Sequence, residues 1–243
     1  MFGFRKQKNT PSGMCSNLYL DMSEQTHLLI AGETGSGKSV VINGILSTLM
    51  YKFPDEAKLI LIDPKRVELI QWKETPHCLM YASEPGEPEQ ALKKALYITE
   101  QRYKEMQRKN ERKYTYGAVY VIIDELADLM TTDRNTITPL LQRLCQIGRA
   151  ANVHVIAATQ CPLAKIIPTE IKVNFDAILG LRTATRQHSR NIIELTGCET
   201  LPRYGYGYYR TPSNGLTLNK IPMISDAEMT RLINHWSNKH MTA

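Results

Sequence analysis

Residues Thr26–Leu46 read THLLIAGETGSGKSVVINGIL and change character twice within a few positions. An apolar run ends at Ala31, glycines follow at 32, 35 and 37 around Lys38, and an amphipathic pattern then begins. Glycine supplies backbone conformations with φ > 0 and lets a ligand approach the main chain without meeting a Cβ atom. Gly32, Gly37, Lys38 and Ser39 match G-x-x-x-x-G-K-[ST], set between an apolar run and a helical pattern, which is the context a phosphate-binding loop requires. In such a loop the backbone N–H groups of Gly32, Glu33, Thr34, Gly35, Ser36 and Gly37 form a nest for phosphate oxygens, reinforced by the positive end of the following helix. Lys38 is then expected to reach the β- and γ-phosphates, and the Ser39 hydroxyl to ligate Mg²⁺. The bland alternative is a glycine-rich turn joining a strand to a helix.

Working outward, apolar β-branched runs recur at Lys58–Asp63 (KLILID), Ala118–Asp124 (AVYVIID), Val153–Thr159 (VHVIAAT) and Asp176–Leu181 (DAILGL), with segments of helical character between them. That alternation predicts an α/β fold with a central, mainly parallel sheet flanked by helices. Continuous apolar runs imply strands covered on both faces. Asp124 and Glu125 follow Val119–Ile123, so a strand delivers two carboxylates to its carboxyl end, where open α/β sheets bind ligands. Asp124 is assigned to the metal, usually through water, and Glu125 to the base that polarises the attacking water, since two close carboxylates need a cation to screen them. The alternative is an acidic pair at a helix start. Gln160 ends the next strand and is placed to sense a γ-phosphate or orient a water. Arg149, in CQIGRAAN, is read either as a helix-terminal cap or as an arginine finger serving a neighbouring subunit.

The 243 residues suffice for one α/β domain with a substantial core. A net charge of +6 suits a polyanionic partner without requiring one. Five scattered cysteines, with no C-x-x-C spacing, indicate neither a disulfide framework nor a zinc site and fit a reducing cytoplasm. No run approaches the roughly 18 apolar residues that span a bilayer, so no membrane segment of its own is expected. Residues 1–20 read as a basic arm or linker, and residues 21–243 as the main domain. Glu87–Lys113 carries Leu92, Leu96, Tyr103 and Met106 at helical steps, and its basic far end is read as a solvated face. TPSNG at 211–215 signals a hairpin, and Ser225 with Glu228 a capping box opening a last helix.

HLLIAGETGSGKS (27–39), LILIDPKRVEL (59–69), TPHC (75–78), EQRYKEM (100–106), VIIDELADLM (121–130), IGRAANVHVIAATQ (147–160) and LRTATRQHSR (181–190) together resemble the FtsK/SpoIIIE DNA translocase family. The resemblance spans roughly residues 25–210, and IDELADLM followed by GRAA and ATQ is more specific than a P-loop alone. It implies a RecA-like, cytoplasmic motor domain that hydrolyses ATP, assembles as a homohexameric ring around double-stranded DNA and moves along it. Within that pattern Arg149 is similar to a finger acting in trans, and Arg186 and Arg190 match basic residues of a loop facing the DNA channel. Related ring ATPases that move proteins or single-stranded DNA are the second reading. Two departures stand out. ATQCP replaces the family's common ATQRP, so Cys161 stands where a basic residue is expected. The chain also resembles neither the membrane-spanning part nor the winged-helix module of the family, so reading of orienting DNA sequences is not expected.

Overall fold

The computed structural model describes residues 16–18, 20–160 and 166–241. Among the described residues nine strands form one sheet: β1 (Ser16–Asn17), β2 (Leu28–Ala31), β3 (Ala57–Ile62), β4 (Cys78–Ala82), β5 (Ala118–Ile123), β6 (Val153–Thr159), β7 (Ala177–Gly180), β8 (Tyr206–Thr211) and β9 (Gly215–Lys220). Their order is β1-β9-β8-β7-β2-β6-β5-β3-β4. From β7 through β2, β6, β5 and β3 to β4 every pairing is parallel, and only the β7/β8 and β8/β9 pairings are antiparallel. Among the described residues the helices are α1 (Lys38–Lys52), α2 (Glu87–Lys109), α3 (Leu126–Thr132), α4 (Arg134–Ile147), α5 (Thr169–Lys172), α6 (Arg186–Ile193) and α7 (Asp226–Met241). Short 3₁₀ turns lie at Ile70–Trp72 and Cys198–Thr200.

The period of two along each strand sorts the core into two layers. Leu29, Ala31, Val121, Ile123, Val155 and Ala157 face one side, where Leu92 of α2, Leu129 of α3, Leu144 of α4, Ile171 of α5 and Ile192 of α6 cover them. Leu28, Ile30, Ile122, Ile156 and Ala158 face the other, under Ile42, Leu46 and Leu49 of α1 and Met229 and Ile233 of α7. Both faces are therefore dry, as the unbroken apolar runs predict. Helix ends are closed locally. Glu87 accepts the N–H groups of Ser83 and Glu84 at 2.8 and 2.9 Å. Asn110 ends α2 in the left-handed conformation (φ 56°, ψ 36°), four residues' worth of helix earlier than the pattern to Lys113 implies. The expected capping box forms, with Ser225 Oγ donating to Glu228 Oε2 at 2.6 Å and the N–H of Glu228 donating to Ser225 Oγ at 3.3 Å.

The expected strands and the hairpin around residues 211–215 are present. β4 was not among them. It is an edge strand of sequence CLMYA, with mixed burial and no β-branched residue, so it carries neither alternation nor a buried apolar run. Lys94 of α2 donates to the Leu79 carbonyl of this edge at 2.6 Å. At the other edge Ser16–Asn17 pairs with β9, and Leu18 and Leu20, each 1% exposed, join the core, so the packed domain starts ahead of residue 21. Residues 1–15 of the expected arm, and Cys161, lie outside the described residues.

Candidate active site

β2 lies at the middle of the sheet between β6 and β7, and the loop that follows it is tied to both neighbours. The N–H of Gly32 donates to Thr159 O at 3.2 Å and that of Glu33 to Arg182 O at 2.9 Å. Gly32 has no room for a side chain: a Cβ there would stand 2.5 Å from Ser36 Oγ and 2.8 Å from Leu181 Cβ. Gly35 and Gly37 adopt φ of 73° and 98°, the left-handed region that only glycine enters freely. Among the described residues the N–H groups of Thr34, Gly35 and Gly37 take no backbone partner, and the buried Ser36 Oγ has none at all. Lys38 is 8% exposed and donates to Gly32 O at 2.8 Å and Glu33 O at 2.9 Å. Burial lowers its pKa, while Glu125 and Asp124 oppose that shift. Ser39 follows in the first turn of α1. A ring of unspent donors around a lysine at a helix start fits a polyphosphate chain.

The carboxyl ends of β5 and β6 close the site. Glu125, 2% exposed, caps α3 by accepting the Ala127 N–H at 3.3 Å. It also takes the N–H of Gln160 on both oxygens, at 3.0 and 3.1 Å. Gln160 in turn accepts the Thr34 hydroxyl on Oε1 at 2.6 Å, so the acid, the glutamine and the phosphate loop form one hydrogen-bonded unit. Asp124 is pushed up to about 7, first by burial and then by Asp63, Glu68 and Glu125. A cation bound beside it would oppose this shift, because a nearby positive charge favours the ionised carboxylate.

Sequence reasoning gave Asp63 and Lys65 no role. Both reach this centre. Asp63 is fully buried at the end of β3, where Oδ2 accepts the Leu69 N–H at 2.9 Å and the Tyr81 hydroxyl at 3.3 Å. Lys65 Nζ stands 3.5 Å from both Glu125 Oε2 and Asp128 Oδ2. Two arginines at the end of β7 and beyond were missed as well. Arg182 Nε pairs with Glu33 of the loop at 3.0 Å, and its Nη1 donates to Leu201 O at 3.2 Å. Arg203 lies against Gly35. No motif spacing points to either, because the sheet order, not the sequence, carries them to the loop.

Arg149 is elsewhere. It precedes β6, and β6 runs parallel to β2, so it sits at the amino-terminal end of the sheet while the loop sits at the carboxyl end. The seven residues of β6 separate the two by about 20 Å at roughly 3.3 Å per residue. Arg149 is exposed, with Nη2 3.5 Å from Glu24 O. Arg186 and Arg190 lie on α6, exposed, beyond the carboxyl end of β7, and Arg186 Nε is 3.6 Å from Glu199.

A mainly parallel sheet whose central strand feeds a glycine loop and helix, with an acidic pair ending a nearby strand, defines a RecA-like P-loop nucleotide-binding domain. Residues 9–117 and 106–164 match the FtsK/SpoIIIE family, and the chain belongs to it. It is 36% identical over 234 residues to the DNA translocase FtsK of Treponema pallidum (strain Nichols), covering 89% of this chain and 29% of that protein. Against the DNA translocase FtsK of Clostridium tetani (strain Massachusetts / E88) it is 37% identical over 197 residues, covering 74% and 26%. The chain thus spans less than a third of the length of these relatives. Its fold is shared with the pCW3 conjugation coupling protein TcpA, solved as a monomer with ATPgS (TM-score 0.77, 24% identity, 89% of this chain and 66% of that one). The cytoplasmic domain of the type VII secretion ATPase EccC of Thermomonospora curvata is similar too (TM-score 0.73, 19% identity, 87% and 28%). Among the described residues no helix is long and apolar enough to cross a membrane.

Proposed function

We propose that the chain is the motor of an ATP-dependent double-stranded DNA translocase, working in the cytoplasm as a ring-shaped homo-oligomer, a hexamer by family pattern. The observation that carries this reading is the unit Thr34–Gln160–Glu125, which joins a buried carboxylate to the phosphate loop. Family membership supplies the polymer. In this reading the N–H groups of Thr34, Gly35 and Gly37 hold the phosphates, those expected of Gly32, Glu33 and Ser36 being spent on Thr159 O, Arg182 O and Glu33 O, while Lys38 bridges the β- and γ-phosphates, and Ser39 and Asp124 hold Mg²⁺. The metal, when bound, neutralises charge on the phosphate oxygens. Among the described residues no three His, Cys, Asp or Glu side chains converge as a metal site. That suits Mg²⁺, which takes few protein ligands and completes its shell with phosphate and water. Glu125 receives the proton of the attacking water, with Gln160 fixing its carboxylate. Arg149, out of reach of its own loop, serves the neighbour's nucleotide. Arg186 and Arg190 meet DNA phosphates. The unpaired Cys78, Cys145 and Cys198 are in keeping with a cytoplasmic setting.

A second reading, a ring ATPase that moves protein or single-stranded DNA, is favoured by the kinship in fold with a secretion ATPase and a conjugation coupling protein. ATP turnover measured with linear duplex DNA, with single-stranded DNA and with no polymer separates the two. Stimulation by duplex above single strands is expected. Stimulation by single strands alone, or by neither, would reject the duplex motor.

A further inference from the structure

We propose that Arg203 is a nucleotide-binding residue, a cation that the chain brings in cis to the polyphosphate held on its own loop. The inference rests on the P-loop reading above and adds to it a residue outside the loop, the acidic pair and the finger.

The geometry starts at Gly35. A methyl group built there would stand 2.8 Å from Arg203 Nη2, 3.5 Å from Nε and 3.6 Å from Cζ, so the edge of the guanidinium rests on the backbone of the loop's apex. This contact is electrostatically odd. The loop already gathers unspent N–H donors, the start of α1 and the Lys38 ammonium, all of positive sign. A fourth positive group placed there by packing alone would be repelled. Nor does a carboxylate compensate it. Among the described residues two other arginines near this end of the sheet have carboxylate partners, Arg182 with Glu33 at 3.0 Å and Arg186 with Glu199 at 3.6 Å, and the exposed Arg190 lies on α6. Arg203 has no ion pair among the described residues, and its charged end stands 5.4 Å from the exposed ring of Tyr204. A polyanion between Arg203 and Lys38 turns that repulsion into a two-sided clamp.

The carrying segment is fixed at both ends, so the side chain is delivered rather than left to wander. Leu201, 5% exposed, donates its N–H to Cys198 O at 3.3 Å and takes Arg182 Nη1 on its carbonyl at 3.2 Å. Gly205, at φ 82°, turns the chain into β8, and its carbonyl accepts the Ile221 N–H at 2.8 Å. Between these anchors lie Pro202, Arg203 and Tyr204, all exposed, with Arg203 against Gly35 of the loop. Arginine rather than lysine suits the place, since its planar fork offers several donors to phosphate oxygens at once.

The test is calorimetric titration of the purified chain with Mg·ATPγS, beside melting curves without nucleotide, for wild type, Arg203→Ala, Arg203→Lys and Lys38→Ala. Loss of one solvent-edge charged contact to phosphate is expected to weaken binding about tenfold in Arg203→Ala, with part recovered in Arg203→Lys. The nucleotide-free melting temperature should hardly move, because the side chain is exposed and its contact with the exposed Tyr204 ring is a weak surface one. Binding by Arg203→Ala at the wild-type affinity would overturn the proposal, as would a weakening matched by a lower nucleotide-free melting temperature. Wild-type-like binding by Lys38→Ala would instead overturn the P-loop reading on which both stand.

Discussion

Lys38 and Glu125 are both tied to the phosphate loop, Lys38 through the Gly32 carbonyl and Glu125 through Gln160 and Thr34, and on the proposed ATPase reading their loss should be felt at different steps. Lys38 is the one cation among the residues of the loop motif itself, so Lys38→Ala is expected to remove turnover and most nucleotide affinity together. Glu125→Gln keeps the shape and one acceptor oxygen for the Gln160 N–H, and takes away the negative charge that makes Glu125 a base and faces Lys65. It should bind Mg·ATPγS like the wild type and lose turnover by about 100-fold or more, the scale of a positioned general base. Steady-state turnover with the same titration separates the two variants, and lost binding in Glu125→Gln would make it a metal ligand. Spacing alone identifies Lys38, Asp124 and Glu125, because a phosphate loop and a strand end fix their neighbours locally. The contacts of Lys65, Arg182 and Arg203 are set by which strands lie side by side, and a single sequence holds no signal for that.

Between elements, the start of β2 is tied to β6 and β7 by two buried histidines and Asp176. Asp176 accepts the N–H groups of Thr26 and His27 at 2.9 and 3.0 Å. His27 Nδ1 takes the Val155 N–H at 3.1 Å, which leaves Nε2 to donate to Cys145 O at 3.0 Å, so the ring is neutral. Burial lowers the pKa of His27 from 6.5 to about 4, against the pull of Asp176, and burial with His27 nearby lowers His154 likewise to about 4. The unfolded chain therefore binds more protons than the folded one between pH 6.5 and 4. Stability from these rings is complete above pH 6.5 and lost as pH falls through that window, by up to about 1.4 kcal/mol per pH unit for each ring. Denaturant unfolding at several pH values checks this, and His154→Gln should reduce the slope by about one proton. An unchanged slope would show that His154 is not the group titrating. Elements of this kind differ in how far sequence announces them. β2, β3, β5, β6 and β7 are dry on both faces and read as apolar runs, whereas β4 is half wet and takes its strand form from β3 alone. The end of α2 at Asn110 turns on one left-handed residue, too small a mark to set against a helical pattern running on to Lys113.

For the whole molecule the governing fact is polarity: the phosphate loop and Arg149 occupy opposite ends of the parallel part of one sheet. If Arg149 completes a neighbour's site, Arg149→Ala and Glu125→Gln chains, each inactive alone, should recover part of the wild-type turnover when mixed, because some interfaces then pair an intact glutamate with an intact finger. Turnover that stays at the level of the separate variants would make Arg149 structural. The sheet has a second asymmetry, across its strands rather than along them. Among the described residues one flank ends on the two-residue β1, while at the other flank β4 turns its outer backbone groups away from β3, with Leu79 partly exposed. Lys94, with its ammonium on the Leu79 carbonyl, stands on that open side like a cork. A bare edge of this kind is a template for fibril-like growth. Lys94→Ala should leave ATP turnover intact and shorten the time that concentrated protein stays clear by light scattering, so the lysine's worth lies in shelf life rather than chemistry.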